Sequence, residues 1–557
     1  MNNGKSISPL INNEKNTFTQ ELNWNQIKWK QVQQKVNRLQ SRIARATMEE
    51  NWKLVKYLQR VLVNSFYAKL LAVRKVSQEN QGKKTPGIDG ILWDTPAKRM
   101  KATLSLNPKG YKAKRLKRIL IDKKNGKKRP LGIPTMNDRA IQALYAMALD
   151  PISEVKADKN SFGFRKGRSA HDAMAKAFSV LSTKRSAQWI LEGDIKGCFD
   201  HINHDWLLKN IPMDKKVLKQ FLKAGFVYKK ELFPTDEGTP QGGIISPILA
   251  NMTLDGIETI IKKRYWSNLK GTIDYRHNKH KVNFVRYADD FIVTADSEET
   301  AKEIKHLIQS FLTERGLILS EDKTVITHID KGFNFLGWNF RKYNGVLLIK
   351  PSKDSIKSIS QKIRDIIKNY DGKKQEHLIE KLNPIIQGWC NYHQAVVSTE
   401  TFDKVETDMF WALWRWAKRR HKHRSKKWIK NRYWQTVNGR SWTFTTNGQT
   451  LRRPGDTHIV RHTAIQTEQN PYLPEGRAYF QERKFQLGMK KLSGKFKKVW
   501  FNQKGLCYFC GLSINSTDDR DVHHKIRRVD GGTDEITNLA YVHRYCHQAH
   551  HSQDTRQ

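Results

Sequence analysis

The spacing of apolar residues changes several times along the chain, and each change predicts a different element. From Trp24 to about Val76 apolar positions recur at helical spacing (Trp29, Val32, Val36, Leu39, Ile43) among Lys and Arg, which predicts basic amphipathic helices. The polar residues 1–20 before them read as disordered. Residues 120–134 read as strand, Asn-Gly turn and strand, with Lys123, Lys124, Lys127, Lys128 and Arg129 ringing the turn. A long helix should follow from Asp138. Residues 161–169 form a Gly-containing basic loop running into a helix, with Ser169 as its N-cap. Residues 189–194 read as a strand ending in Asp194, and 238–243 as a tight loop before an apolar helix. Residues 284–293 hold two runs of Val, Ile and aromatics around a small polar turn, the mark of a β-hairpin. Beyond Lys350 the period is helical again (Ile356, Ile359, Ile363, Ile366, then Leu378, Leu382, Ile385, Ile386).

Composition narrows the class of protein. At 557 residues the chain should hold several domains. A formal net charge of +47 and a pI near 10.0 call for a polyanionic partner, and nucleic acid is the obvious one. The chain has no run of about 18 apolar residues and its first residues are polar, so neither a membrane span nor a signal peptide is expected. The expectation is a soluble, intracellular protein. Of five cysteines, Cys198 and Cys390 stand alone, whereas Cys507, Cys510 and Cys546 cluster as metal ligands do.

Three stretches carry candidate chemistry. The 284–293 hairpin turns on Asp289 and Asp290, and neighbouring strand residues face opposite ways, so the two acids should not share one job. Carboxylate oxygens at such a tip suit Mg²⁺, although a solvated Asp-Asp turn has the same composition. Two-metal phosphoryl transfer needs acids from separate elements converging on one point; Asp194 and Asp289 are the expected pair, with Asp290 second. Between Arg415 and Arg432 lie ten Lys or Arg and no acid, read as one short helix, interleaved with Trp416 and Trp428. The cations should track phosphates, and the tryptophans pack inward or stack on bases. Near the end, Cys507-x-x-Cys510 and His543-x-x-Cys546 have the spacing of a structural Zn²⁺ site. Nested inside are His523-His524, Gly531-Gly532, Asn538 and the pair His547 and His551, whose i,i+4 spacing puts them on one helix face. Residues 436–495 say only basic and Pro-punctuated.

The order basic hairpin, FGFRKGRS, DIKGCFD, GTPQGG, YADD, EDKT, GFNFLGW resembles a group II intron reverse transcriptase over residues 24–345. Lys166, where relatives commonly have Pro, is a departure that touches nothing catalytic. The resemblance implies a multidomain α+β fold: right-hand fingers after an N-terminal extension (1–190), palm (191–350), helical thumb or maturase domain X (351–435), DNA-binding linker (436–495) and a C-terminal ββα-metal HNH finger (496–557). It also implies that Lys123 and Arg129 grip the incoming triphosphate and that Phe199 crowds a ribose 2′-OH. Gln241 would lie beside the nucleotide sugar and base, and Lys323 would protonate departing pyrophosphate. The tail resembles an HNH nuclease, with Val529 near the usual Pro. By that likeness His523, His547 and His551 hold a divalent ion (Mg²⁺ or similar), His524 is the general base and Asn538 orients it. Candidate RNA contacts are Arg165, Arg168, Arg415, Arg419, Arg420, Arg424, Lys426 and Lys427. The implied protein uses two Mg²⁺ in its polymerase, splices and copies group II intron RNA (as lariat), nicks target DNA and consumes dNTPs. It would work as a monomer on its RNA, in a cytoplasmic or nucleoid-associated ribonucleoprotein, with no membrane partner. The alternative is a non-catalytic RNA-binding splicing cofactor with a vestigial polymerase.

Overall fold

The computed structural model describes residues 23–557 apart from 123–125, 127, 229–230, 236, 240–241, 269, 371, 515–519 and 555–557. Residues 1–20, Lys123, Gln241 and the side chain of Arg129 therefore lie outside the described residues. Three helices open the chain: α1 (Trp29–Met48), α2 (Trp52–Asn64) and α3 (Phe66–Arg74). The apolar stripes that the spacing predicts, such as Val32, Val36 and Ile43, are buried. They pack around the long helix Met136–Lys156, which starts two residues before the expected position because the Thr135 side chain caps it by accepting from the Asp138 amide.

Two four-stranded sheets hold the centre. The first has the order β2-β1-β4-β5, where β1 (Leu116–Asp122) and β2 (Lys128–Ile133) form the basic hairpin. Its other strands, β4 (Phe226–Tyr228) and β5 (Glu231–Phe233), come from inside the stretch expected as palm, so this sheet draws on both sides of the boundary expected at residue 190. The second sheet has the order β6-β7-β3-β8, all antiparallel: β3 (Trp189–Gly193), β6 (Asn283–Tyr287), β7 (Asp290–Ala295) and β8 (Val325–His328). A small antiparallel meander, β9 (Phe333–Phe335), β10 (Trp338–Tyr343) and β11 (Val346–Pro351), leads out of this unit.

The thumb segment is helical and has its own core. Helices Lys353–Asn369, Gln375–His393 and Thr399–Arg420 bury Ile359, Ile363, Leu378, Leu382, Ile386 and Trp416 against one another. Helix Lys426–Tyr433 follows, and β12 (Trp434–Val437), β13 (Arg440–Thr446) and β14 (Gln449–Thr450) close that core from outside. Helices Pro474–Lys491 and Gly494–Asn502 then lead into β15 (Arg520–His524), β16 (Leu539–His543) and the final helix Arg544–Asp554, a ββα unit. Among the described residues no helix is long and apolar enough to cross a membrane.

Candidate functional site

Strand register builds the first site. β3 runs antiparallel to β7 with Gly193 opposite Phe291, so the next residue along β3, Asp194, arrives beside Asp290. Gly193 has to be glycine, since a Cβ there would fall 2.1 Å from the Phe291 ring. The β6–β7 turn is equally constrained. Ala288 has φ +59°, and a Cβ on Gly163 of the basic loop would sit 2.2 Å from the Ala288 nitrogen. That loop runs alongside β6: the Phe162 amide donates to Arg286 O (2.9 Å) and the Arg286 amide to Asn160 O (3.0 Å). The fully buried Arg286 guanidinium donates to Asn251 Oδ1, Ala288 O and Asp255 Oδ1, so it holds the turn from beneath. Sequence reasoning missed Gly163 and Arg286; a lone Arg inside an apolar strand was the available signal.

The carboxylates and Lys323 meet at this end of the sheet. Lys323 Nζ donates to Asp194 Oδ2 at 2.8 Å. Asp290 is pushed up to about 7 by partial burial, by the charges of Asp289 and Asp194, and by a hydrogen bond it shares with Asp194, with Lys323 opposing. Lys323 is raised in turn by its bond to Asp194. The sequence ranked Asp289 first and Asp290 second beside Asp194; the strand register carries Asp194 to the level of Asp290, and the charges of Asp289 and Asp194 both act on Asp290. Hard oxygens that crowd one another until one must keep a proton are a donor set that suits a divalent cation. Half-buried Phe199 follows buried Cys198 and meets Phe164 edge-on at 6.2 Å. The loop at Gly238 lies against it, the Thr239 amide donating to Phe199 O, and Gly242 touches β2 at Gly132. Arg129 is placed only through its backbone, opposite Ile121.

Two arginines of the basic loop turn inward. Arg165 is buried, its Nε and Nη2 donating to the two oxygens of Glu154 (3.0 and 2.9 Å) and its Nη1 to the carbonyls of Asp158 and Ser161. Arg168 Nη2 lies 2.8 Å from the same Glu154. Both expected RNA contacts are corrected on that ground: each guanidinium is turned inward onto Glu154. Ser169 does cap its helix, its amide donating to Asp172.

The other basic stretch is the opposite case, although not on one helix as expected. It spans the end of helix Thr399–Arg420, a bend at 421–425 and helix Lys426–Tyr433. Arg415, Arg419, Arg424, Lys426 and Lys427 are exposed, whereas Arg420 is half-buried, donating to Lys373 O. Trp416 is fully buried, and Trp428 is partly open with Arg424 over its ring.

The ββα unit gathers two donor clusters. The sulfurs of Cys507, Cys510 and Cys546 and one nitrogen of His543 all lie within 4.8 Å of one another. Separations of 3.4 Å (Cys510 Sγ to His543 Nδ1) and 4.0 Å (Cys546 Sγ to His543 Nδ1) bracket the roughly 3.5–3.8 Å edge of a tetrahedron built from metal–sulfur and metal–nitrogen bonds. In the second cluster His523, His547 and His551 are equally close, with 3.0 Å between the Nε2 atoms of the last two. Burial and the neighbouring imidazoles push His523 down to about 4, which keeps its lone pair available. Asp521, unnoticed in the sequence though two positions from His523 and thus on its face of β15, holds His547 Nδ1 at 3.2 Å. His524 points to the other face and bonds through Nε2 to Asp534 (2.7 Å). Asn538 does not orient it, contrary to expectation. Its side chain clasps the backbone of Ile526 and Thr533 and so shapes the connecting loop.

Comparison with known proteins agrees with this layout. Family models match for the N-terminal domain of reverse transcriptase (residues 24–106), reverse transcriptase (RNA-dependent DNA polymerase) (121–340), the group II intron maturase-specific domain (356–434) and HNH endonuclease (507–553). Among curated relatives, the group II intron-encoded protein LtrA of Lactococcus lactis subsp. cremoris is 34% identical over 323 residues, 47% of this chain and 53% of LtrA. Protein YkfC of Escherichia coli (strain K12) is 32% identical over 303 residues, 48% of this chain and 79% of YkfC. Maturase-like protein 1 of Euglena gracilis is 26% identical over 377 residues, 66% and 76% of the two chains. The chain spans about half the length of LtrA. Reverse transcriptase and HNH modules work with divalent metals, and the two donor clusters are compatible with metal binding. The chain belongs to the group II intron-encoded proteins, with regions that match the reverse transcriptase, maturase-specific and HNH endonuclease families.

Proposed function

We propose that this protein is an RNA-directed DNA polymerase, RNA splicing maturase and HNH DNA endonuclease that drives intron mobility by target-primed reverse transcription. The observation that carries the reading is the convergence of Asp194, Asp290 and Lys323, with Asp289 beside them, at the end of one sheet. Asp194, Asp289 and Asp290 would hold two Mg²⁺, which when bound steady the attacking and leaving oxygens of nucleotidyl transfer. Lys123 and Arg129 grip the triphosphate of the dNTP, Phe199 and Gln241 select its sugar and base, and Lys323 gives a proton to the departing pyrophosphate.

In the nuclease, His523, His547 and His551 would hold a divalent ion, Mg²⁺ or similar. His524, aligned by Asp534 through Nε2, takes the proton of water at Nδ1. Cys507, Cys510, His543 and Cys546 would hold a structural Zn²⁺. The exposed cations of residues 415–427 engage the phosphates of the intron lariat, and residues 436–495 bridge to target DNA. The nicked DNA strand supplies the 3′ end that is extended on RNA, so the two chemistries belong on one chain. The particle is a ribonucleoprotein of the cytoplasm or nucleoid, with one protein per RNA.

The test is a pair of substitutions read in two assays. Asp194→Asn should abolish extension of a DNA primer on an RNA template while leaving nicking intact. His524→Ala should slow nicking about 10²–10⁴-fold and leave extension unchanged. Wild-type extension by Asp194→Asn would overturn the polymerase assignment and favour a pure splicing cofactor.

A further inference from the structure

The nuclease is seated on the N-terminal helices of the reverse transcriptase, and one buried cation lies at the joint. Arg74 ends α3 and its side chain is 2% exposed. Its Nη2 lies 3.2 Å from Tyr545 Oη and 3.7 Å from Cys546 Sγ, and its Nε lies 3.4 Å from Glu79. The guanidinium is sandwiched between the rings of Trp29 (4.2 Å) and Tyr545 (5.2 Å). Tyr545 in turn stacks on His543. Trp29 also packs against the core of the nuclease unit, and Lys83 Nζ donates to Gln548 Oε1 at 3.0 Å.

Charge explains why an arginine stands there. Three thiolates, a neutral imidazole and a dication leave one net negative charge, and here it is buried. A buried guanidinium and a buried thiolate site are each unfavourable alone, and each answers the other when apposed. Glu79, itself partly open to solvent, supplies only one carboxylate contact, and the N–H···S approach to Cys546 supplies the other.

We infer that Arg74 makes the Cys₃His cluster a docking joint, so that a thiolate-bound dication fastens the nuclease to the reverse transcriptase body. This rests on the reading that the cluster holds such an ion. When the ion leaves, nothing ties the four ligand side chains together, and the surface of Tyr545 and Cys546 against which Arg74 is packed loses its fixed shape. The nuclease then loosens from α3 while the polymerase site, at the end of the β6-β7-β3-β8 sheet, stays intact.

The experiment uses the full chain with Zn²⁺ as probe. Amide hydrogen exchange is followed at residues 68–76 and 505–512, before and after Zn²⁺ is drawn off by a chelator, together with the rate of Zn²⁺ release. In the wild type, removal of Zn²⁺ should speed exchange at residues 68–76, which contain none of its ligands. Arg74→Met, which keeps bulk and loses charge, should release Zn²⁺ about tenfold faster, and Arg74→Lys should recover part of the difference. Both variants should extend primers as the wild type does, which reports a folded polymerase. Exchange at 68–76 indifferent to Zn²⁺ would overturn the inference without any variant, and so would a primer-extending Arg74→Met with wild-type Zn²⁺ release. A chain whose Co²⁺ form shows no thiolate absorption would sink the metal reading itself, a separate outcome from a loaded site that ignores Arg74.

Discussion

Two basic stretches of this chain look alike in sequence and do opposite things. In residues 165–168 the arginines turn inward onto Glu154, and their positive charge is spent on holding the loop that props the β6–β7 turn. In residues 415–427 the Lys and Arg side chains other than the half-buried Arg420 are exposed, with no acid among them along the chain. The difference lies in what the fold brings near. Glu154 is on a neighbouring helix, eleven residues upstream of Arg165, whereas the thumb stretch caps a helical bundle whose apolar face is already satisfied. A run of Lys and Arg is thus evidence for a polyanionic partner only where the folded chain leaves it exposed.

The largest expected effect breaks the inward case. Arg165→Ala leaves the Glu154 carboxylate buried beside Arg168 alone, and should cost about 3–5 kcal/mol of stability. Urea unfolding of that variant beside Arg165→Lys, which returns a positive charge to Glu154, checks it. If charge is the cause, Arg165→Lys recovers part of the loss. The outward case should respond in the other assay. Replacing Arg419, Arg420 and Arg424 by Glu should leave the unfolding midpoint nearly unchanged, cut affinity for intron RNA, and reduce the slope of log K against log[salt] by roughly 2–3. An unaltered RNA footprint would remove the thumb from the binding surface.

The same contrast explains how far the sequence could be read. Local patterns were legible: the hairpin around Asp289 and Asp290, the i,i+4 histidines, the paired Cys and His spacings and the isoleucine stripes of the thumb all lie within a few residues. What could not be read was which distant residue would answer each charge. Asp290 meets Asp194 because of the pairing of β3 with β7, and pairing register is a property of the sheet. Arg286, to which the sequence assigned no role, props the turn because Asp255 arrives from the helix region before it. Asp534 orients His524 and Asn538 shapes a loop, an exchange of duties that spacing along the chain does not encode.

The smallest expected effect, and the finest test of the comparison, is in the pH dependence of stability. Around the inward arginines several carboxyls are buried: Asp158 is pushed up to about 7 and Asp255 to about 6, by burial first, and in Asp158 by the neighbouring Asp255 as well. A carboxyl whose folded value exceeds its unfolded value of about 3.9 keeps a proton that the unfolded chain has released. Its contribution is therefore complete below about pH 4 and is lost as pH rises through about 7. Buried His171 and His393, both pushed down to about 4, act with the opposite sign between about 4 and 6.5, so the slope of the whole protein mixes the two. The difference between variants separates them. Asp158→Asn should lessen the fall in urea midpoint between pH 5 and pH 8, because its amide neither gains nor loses a proton there. The thumb triple replacement should leave that fall as it is in the wild type, since its cations keep their charge across the whole range. Equal pH slopes in Asp158→Asn and the wild type would mean that Asp158 is already ionised when folded, and it would then join Glu154 in answering the buried arginines with charge.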